Sequence, residues 1–277
     1  MAMITLPTGY YQQHDADFNL EFHAEAYGGW KTQELPLSID HTALVVMHAW
    51  DCGTREEYPG WHKVVDYIYR SYEICEKVIP PILDAARRAG MKIIHVISTE
   101  SYGLKYPGYA PVRKLCENDK HASSRRIVRD EAIEELWKFH SDVVFPGKEN
   151  QEDIRRGQSV MDFYPTVKPL GDEPIAKDSF QLSAWCEKEG INHLVYTGFA
   201  INMCLRMSPG GMVDMSRYGV MCSAIPEAVT GVENKETQRT QANKQMALWE
   251  VALLFGYVYG ADDFIKALNE YAETLNQ

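Results

Sequence analysis

The sequence predicts an α/β architecture, a parallel sheet sandwiched between two helical layers. Two observations predict it. The runs TALVVM (Thr42–Met47) and HLVYTGF (His193–Phe199) are continuously apolar rather than alternating, as in strands buried on both faces. Such runs also alternate along the chain with stretches of helical periodicity, the order that yields parallel strands joined by crossover helices. A chain of 277 residues, 45% of them hydrophobic, has ample material for that core.

Taken in order, the first forty residues are aromatic, acidic and punctuated by glycine, with no sustained period. They are expected to form an arm laid over the body or over a neighbouring subunit. Thr42–Met47 is the first buried strand. From Val64 to Arg88 the pattern is helical, and Pro80-Pro81 must divide it in two. The second piece starts at proline and ends at Gly90, the usual asymmetry of a short helix. MKIIHVIST follows as the second strand. Ile175-Ala176 is a short apolar stretch before a helix around Ser183–Glu189 that Gly190 ends. HLVYTGF is the third strand and YGVMCSA the fourth, followed by a helix from about Lys235 to Tyr257. Without a repeat, linker or low-complexity segment, residues 1–277 read as one domain, with 1–40 as the arm.

Composition excludes several function classes. A net charge of −11 lacks the positive field that nucleic acid or an anionic membrane surface requires. No apolar run reaches the length of a membrane span. The six cysteines show no C-x-x-C pair, and the N-terminus has no signal-peptide layout; reduced thiols in a cytoplasmic protein are expected. Phosphate-binding glycine loops are missing, so no nucleotide cofactor is expected.

Ligands of open parallel sheets sit beyond the carboxyl ends of the strands, and three such places carry unusual residues. The first strand ends in His48-Ala-Trp50-Asp51-Cys52. The third ends in Gly198-Phe-Ala-Ile-Asn202-Met-Cys204, with Cys204 at a helix start. Lys177 follows Ile175-Ala176. A thiol at a helix N-terminus is favoured as thiolate, a nearby ammonium favours it further, and the same N–H groups can hold an oxyanion. A buried structural cysteine is the commoner outcome for one such residue taken alone.

The ordered blocks ALVVMHAWD, PPILDAARRAGMKIIHVIST, PIAKDSFQLSAW, HLVYTGFAINMC, YGVMCSAIPEAV and FGYVYGADDFIKAL resemble the isochorismatase-like cysteine hydrolases, relatives of nicotinamidase and N-carbamoylsarcosine amidase. The resemblance runs from about Thr42 to the C-terminus and is weak across Ser101–Met161, a divergent insert. It implies a three-layer fold with about six mostly parallel strands. It also implies hydrolysis of small amides or related C–N bonds by an Asp, Lys and Cys trio. Cys204 matches the nucleophile and Lys177 the lysine, and a cis peptide is implied between Phe199 and Ala200. That bond would turn the N–H groups near Ala200 and Cys204 toward the substrate oxygen. Homo-oligomers, dimers or tetramers, are likewise implied, as is a small-molecule substrate without a cofactor.

Two departures stand out. His48 occupies the position of the family's Asp. Either His48 is the base, the favoured reading because a strand end is held more firmly than a loop, or Asp51 reaches in, or catalysis is lost and the protein binds without turnover. Pro209-Gly210-Gly211 must also break the helix after Cys204 within about a turn. An isochorismatase-type vinyl ether hydrolase fits less well, because that chemistry needs an acidic Asp rather than a thiol. Trp50, Trp61 and Trp185 are candidate walls for a planar substrate, with Asn202 beside them, though core packing explains each tryptophan singly as well. His48, Asp51 and His62 lack the D-x-H spacing of metal-binding relatives, so no metal is expected. Arg113, Lys114, Arg125, Arg126 and Arg129 form the one basic stretch, by default a solvated face. His95 and Cys222 read as core residues.

Overall fold

The computed structural model describes residues 2–116 and 130–275. Strands β1 (Met3–Gln12) and β2 (Gly29–Ser38) open the chain as an antiparallel hairpin. β3 (Thr42–Met47) and the two-residue β4 (Trp50–Asp51) follow, then α1 (Pro59–Val64), α2 (Ile68–Lys77) and α3 (Ile79–Arg88). β5 (Lys92–Val96) leads into α4 (Glu100–Gly103), α5 (Tyr109–Lys114), α6 (Glu131–Phe139) and α7 (Gln151–Val160), which occupy the divergent insert. Next come β6 (Asp162–Phe163), β7 (Ile175–Ala176), α8 (Ser179–Glu189) and β8 (His193–Phe199). α9 (Cys204–Met207), α10 (Met212–Arg217), β9 (Met221–Thr230), α11 (Ala242–Glu250) and α12 (Ala261–Leu275) complete the order.

The central sheet has five strands, all parallel, in the order β7-β5-β3-β8-β9. Its middle strand is TALVVM, every residue of which is buried. Leu44 and Val46 face a core shared with α3, α12 and the hairpin. Ala43, Val45 and Met47 face a second core built with α8, α9 and α10. Two apolar faces on one strand require helices on both sides, which makes the three layers. At the edge, Val258 makes one parallel bridge to Ala224 and one antiparallel bridge to Gly9, a sixth position reduced to a single residue.

The helix after β3 breaks at Val78, and both prolines fall in the first turn of α3, where a missing N–H costs nothing. Gly190 ends α8 in the left-handed conformation, φ 69°. The arm differs from its sequence reading, being a hairpin with ten residues in each strand. β1 buries Ile4, Leu6 and Thr8 on alternate positions, but most of β2 is exposed, so no apolar alternation marks it. The hairpin docks through the Gly9–Val258 backbone bonds and a Trp249–Gln13 hydrogen bond of 2.9 Å. The helix expected from Lys235 begins only at Ala242, where the buried Glu233 carboxylate accepts the N–H groups of Asn243 and Lys244.

Candidate active site

The carboxyl ends of β7, β5, β3 and β8 lie side by side, since Ile97 N–H bonds Ala176, His48 N–H bonds Val96, and Met47 pairs with Gly198. This edge collects Lys177, Ser98, His48 and the turn that leads to Cys204.

The Phe199–Ala200 peptide is cis. Behind it the chain turns tightly: Met203 and Leu205 donate to the Ala200 carbonyl and Ile201 donates to Thr230. Among the described residues the N–H groups of Ala200 and Cys204 make no hydrogen bond. Two free donors therefore flank a partly accessible thiol, that of Cys204. The helix it starts has four residues and stops before Pro209-Gly210-Gly211, as the sequence requires. Individual N–H groups, not a long helix dipole, are what this turn can offer an anion.

His48 is 6% exposed and holds φ 53°, a left-handed backbone uncommon for histidine. Burial pushes its imidazole down to about 4, opposed by a hydrogen bond at the Ile97 backbone that favours the charged form. The ring is thus neutral at neutral pH, and a neutral imidazole keeps the lone pair of one nitrogen.

Lys177 is seated by its own N–H, which donates to Gln181 Oε1 at 2.9 Å, inside a turn capped by Asp178. Its ammonium lies 3.9 Å from Glu100 Oε2. The other Glu100 oxygen accepts from the Tyr109 hydroxyl at 2.9 Å and from Arg113 at 3.4 Å. Sequence reasoning missed Glu100, although an acid directly after the strand MKIIHVIST was a visible signal. Two buried phenols also escaped it. Tyr67 and Tyr102 both sit within the field of Cys204, and burial holds each protonated. The Tyr102 hydroxyl is taken by Ser98 N–H at 3.0 Å.

Other expectations need correcting. Asp51 does not lie free beside the thiol: its carboxylate accepts the Tyr72 hydroxyl at 2.9 Å and Gly53 N–H at 2.8 Å, which ties down the loop after β4. Asn202 is spent on Val232, donating to its carbonyl at 2.9 Å and accepting its N–H at 2.8 Å, so it closes a turn instead of meeting substrate. Trp185 lines a cavity of about 300 Å³ with Lys92 and Met91, at the amino ends of the strands and so on the wrong side of the sheet. Trp50 is buried against Trp61 at 5.5 Å, in a cluster with Ile97 and Tyr102 that underlies the site.

His62 bonds the Gly53 carbonyl at 3.0 Å, and among the described residues no three His, Cys, Asp or Glu side chains are grouped to hold a metal. Of the basic stretch, Arg113 faces Glu100, while Arg125, Arg126 and Arg129 lie outside the described residues. His95 is fully buried, bonded to Glu173 at 3.0 Å, and Cys222 is fully buried. No helix among the described residues is long and apolar enough to cross a membrane.

No family model and no curated protein matches the chain. Solved structures do. A cysteine hydrolase from Pseudomonas syringae pv. phaseolicola 1448A superposes with a TM-score of 0.51 at 14% identity, covering 85% of this chain and 95% of that one. An isochorismatase-like hydrolase from Alkaliphilus metalliredigens gives 0.45 at 16% identity, covering 83% and 99%. A pyrazinamidase/nicotinamidase from Streptococcus mutans UA159 gives 0.33 at 12% identity, covering 79% and 99%. At such identities a likeness speaks for architecture, and the first of these carries it: the chain has the α/β fold of that cysteine hydrolase, a parallel sheet between two helical layers.

Proposed function

We propose that this protein hydrolyses a small-molecule amide or related C–N bond through a thioester on Cys204. The observation that carries the reading is the partly accessible Cys204 thiol in a turn where, among the described residues, the N–H groups of Ala200 and Cys204 are both unpaired. Sulfur attacks the carbonyl carbon, the carbonyl oxygen takes up the negative charge against those donors, and the C–N bond breaks as the leaving nitrogen gains a proton. Water then attacks the thioester and releases the acid and the thiol.

His48, at the end of the neighbouring strand β3, is the proton carrier in this reading. Burial makes the His48 imidazole a weak base, so full transfer of the thiol proton to it before attack is unfavourable. Proton transfer is therefore concerted with C–S bond formation, and the proton passes on to the leaving nitrogen. Lys177 balances the charge of the sulfur. The competing reading, a pocket that binds without turnover, draws support from the same low basicity of His48.

Turnover of a panel of small primary amides, with Cys204→Ala and His48→Ala beside the parent protein, tests the proposal. Cys204→Ala should abolish hydrolysis and keep the fold, and His48→Ala should fall far below Asp51→Ala. Hydrolysis that survives in Cys204→Ala sinks the mechanism. A thiol that labels with iodoacetamide at Cys204 while no amide is hydrolysed favours binding without turnover.

A further inference from the structure

We propose that the Tyr67 hydroxyl is a third donor to the oxygen that becomes negative when Cys204 attacks, and hence a catalytic residue of the acyl-transfer step; this rests on the reading of Cys204 as nucleophile. Tyr67 precedes α2 and is 7% exposed. Its ring shares one apolar core with Phe199 and Ala200 and lies 6.4 Å, between ring centroids, from Phe199, the residue that begins the cis peptide.

The decisive feature is an unmade bond. Of the five buried tyrosines among the described residues, Tyr102 is held by Ser98, Tyr109 by Glu100 and Tyr196 by the Gly210 carbonyl. The Tyr67 hydroxyl has no partner among the described residues. The Tyr67 oxygen is not among the fully enclosed polar atoms left unpaired, so this O–H opens onto space where a bound molecule can accept it. Among the titratable neighbours that raise this phenol, Cys204 comes ahead of Asp66 and Cys52. In this proposal two peptide N–H groups and one phenol O–H act on the same oxygen. An sp2 carbonyl that becomes tetrahedral, with its oxygen gaining charge, is the substrate chemistry such a set serves.

Two probes separate this from a structural role. p-Nitrophenyl acetate transfers its acetyl group to the Cys204 sulfur through a tetrahedral oxyanion and releases nitrophenolate. Iodoacetamide alkylates the same sulfur at a saturated carbon, losing iodide with no oxyanion. In Tyr67→Phe, which keeps the ring against Phe199, acetylation of Cys204 read by mass mapping and by the nitrophenolate burst should slow by about tenfold or more. Alkylation and thermal stability should stay at parental values. Acetylation at the parental rate overturns the role of Tyr67 and leaves Cys204 as nucleophile. Equal slowing of both probes also overturns it, because a displaced thiol explains that. Absence in the parent protein of both an acetyl adduct on Cys204 and nitrophenolate release that depends on Cys204 removes the nucleophile reading, and the role of Tyr67 with it.

Discussion

Lowering the pH from 7 to 5 should cost the folded protein about 2 kcal/mol through His48 alone. The folded value is about 4, against an ordinary 6.5, because burial disfavours the imidazolium. A base whose folded value is depressed contributes stability that is complete above 6.5 and is lost as pH falls toward 4, since the unfolded chain binds the proton first. At pH 5 the unfolded imidazole is almost fully protonated and the folded one about one tenth, a difference worth about 2 kcal/mol. His193 is shifted in the same direction, also to about 4, so the parent protein loses more than His48 accounts for. His48→Asn isolates the share, because asparagine tolerates the left-handed φ of 53° and carries no titratable group. Urea denaturation of both proteins at pH 7 and pH 5 should give a pH dependence about 2 kcal/mol smaller in the variant. An equal pH dependence in the two refutes the buried neutral imidazole on which the proposed proton transfer depends.

Thiol labelling at neutral pH should be confined to Cys204 and Cys116. Burial pushes the Cys52 thiol up to about 11, those of Cys186 and Cys222 to about 12, and Cys75 higher still; peptide mapping after a short iodoacetamide exposure reads this. Asn202→Ala removes both bonds to Val232 and should lower stability by about 1–3 kcal/mol in thermal unfolding. Gly198→Ala should abolish folding, measured as loss of soluble protein: its Cβ would stand 1.9 Å from the Met47 carbonyl oxygen at a φ of +110°. Trp185→Phe, on the far side of the sheet, should leave the rate of Cys204 labelling unchanged, and a slowed rate would return Trp185 to the site.

The central strands were legible because burial on both faces leaves a compositional mark that needs no partner to be read. TALVVM and HLVYTGF have the bounds that the structure has. The hairpin was not, because β2 is largely exposed and its pairing with β1 spans the sixteen residues between Gln12 and Gly29. Of the candidate site, Cys204, Lys177 and His48 were legible from their places after strands, and the interruption after Cys204 from its proline and glycines. Asn202 and Trp185 were misplaced because sequence proximity to a motif does not say which way a side chain turns. Asn202 closes on a backbone thirty residues away, and Trp185 follows the helix around to the opposite end of the sheet.

By itself, then, the sequence determined the layered architecture, the bounds of the two central strands and the identity of the groups that follow them, whereas the strand read as YGVMCSA runs on to Thr230. Those follow from local apolar pattern and from proline and glycine, whose effects act within a few residues. Only the tertiary structure decided which groups remain uncommitted. Asp51 is taken by Tyr72, Lys177 meets Glu100, His48 is neutral, and among the described residues the Tyr67 hydroxyl and the Ala200 and Cys204 N–H groups have no partner. Whether a donor, acceptor or charge is free depends on partners far away in the chain and on the water excluded around it, and both arise from packing.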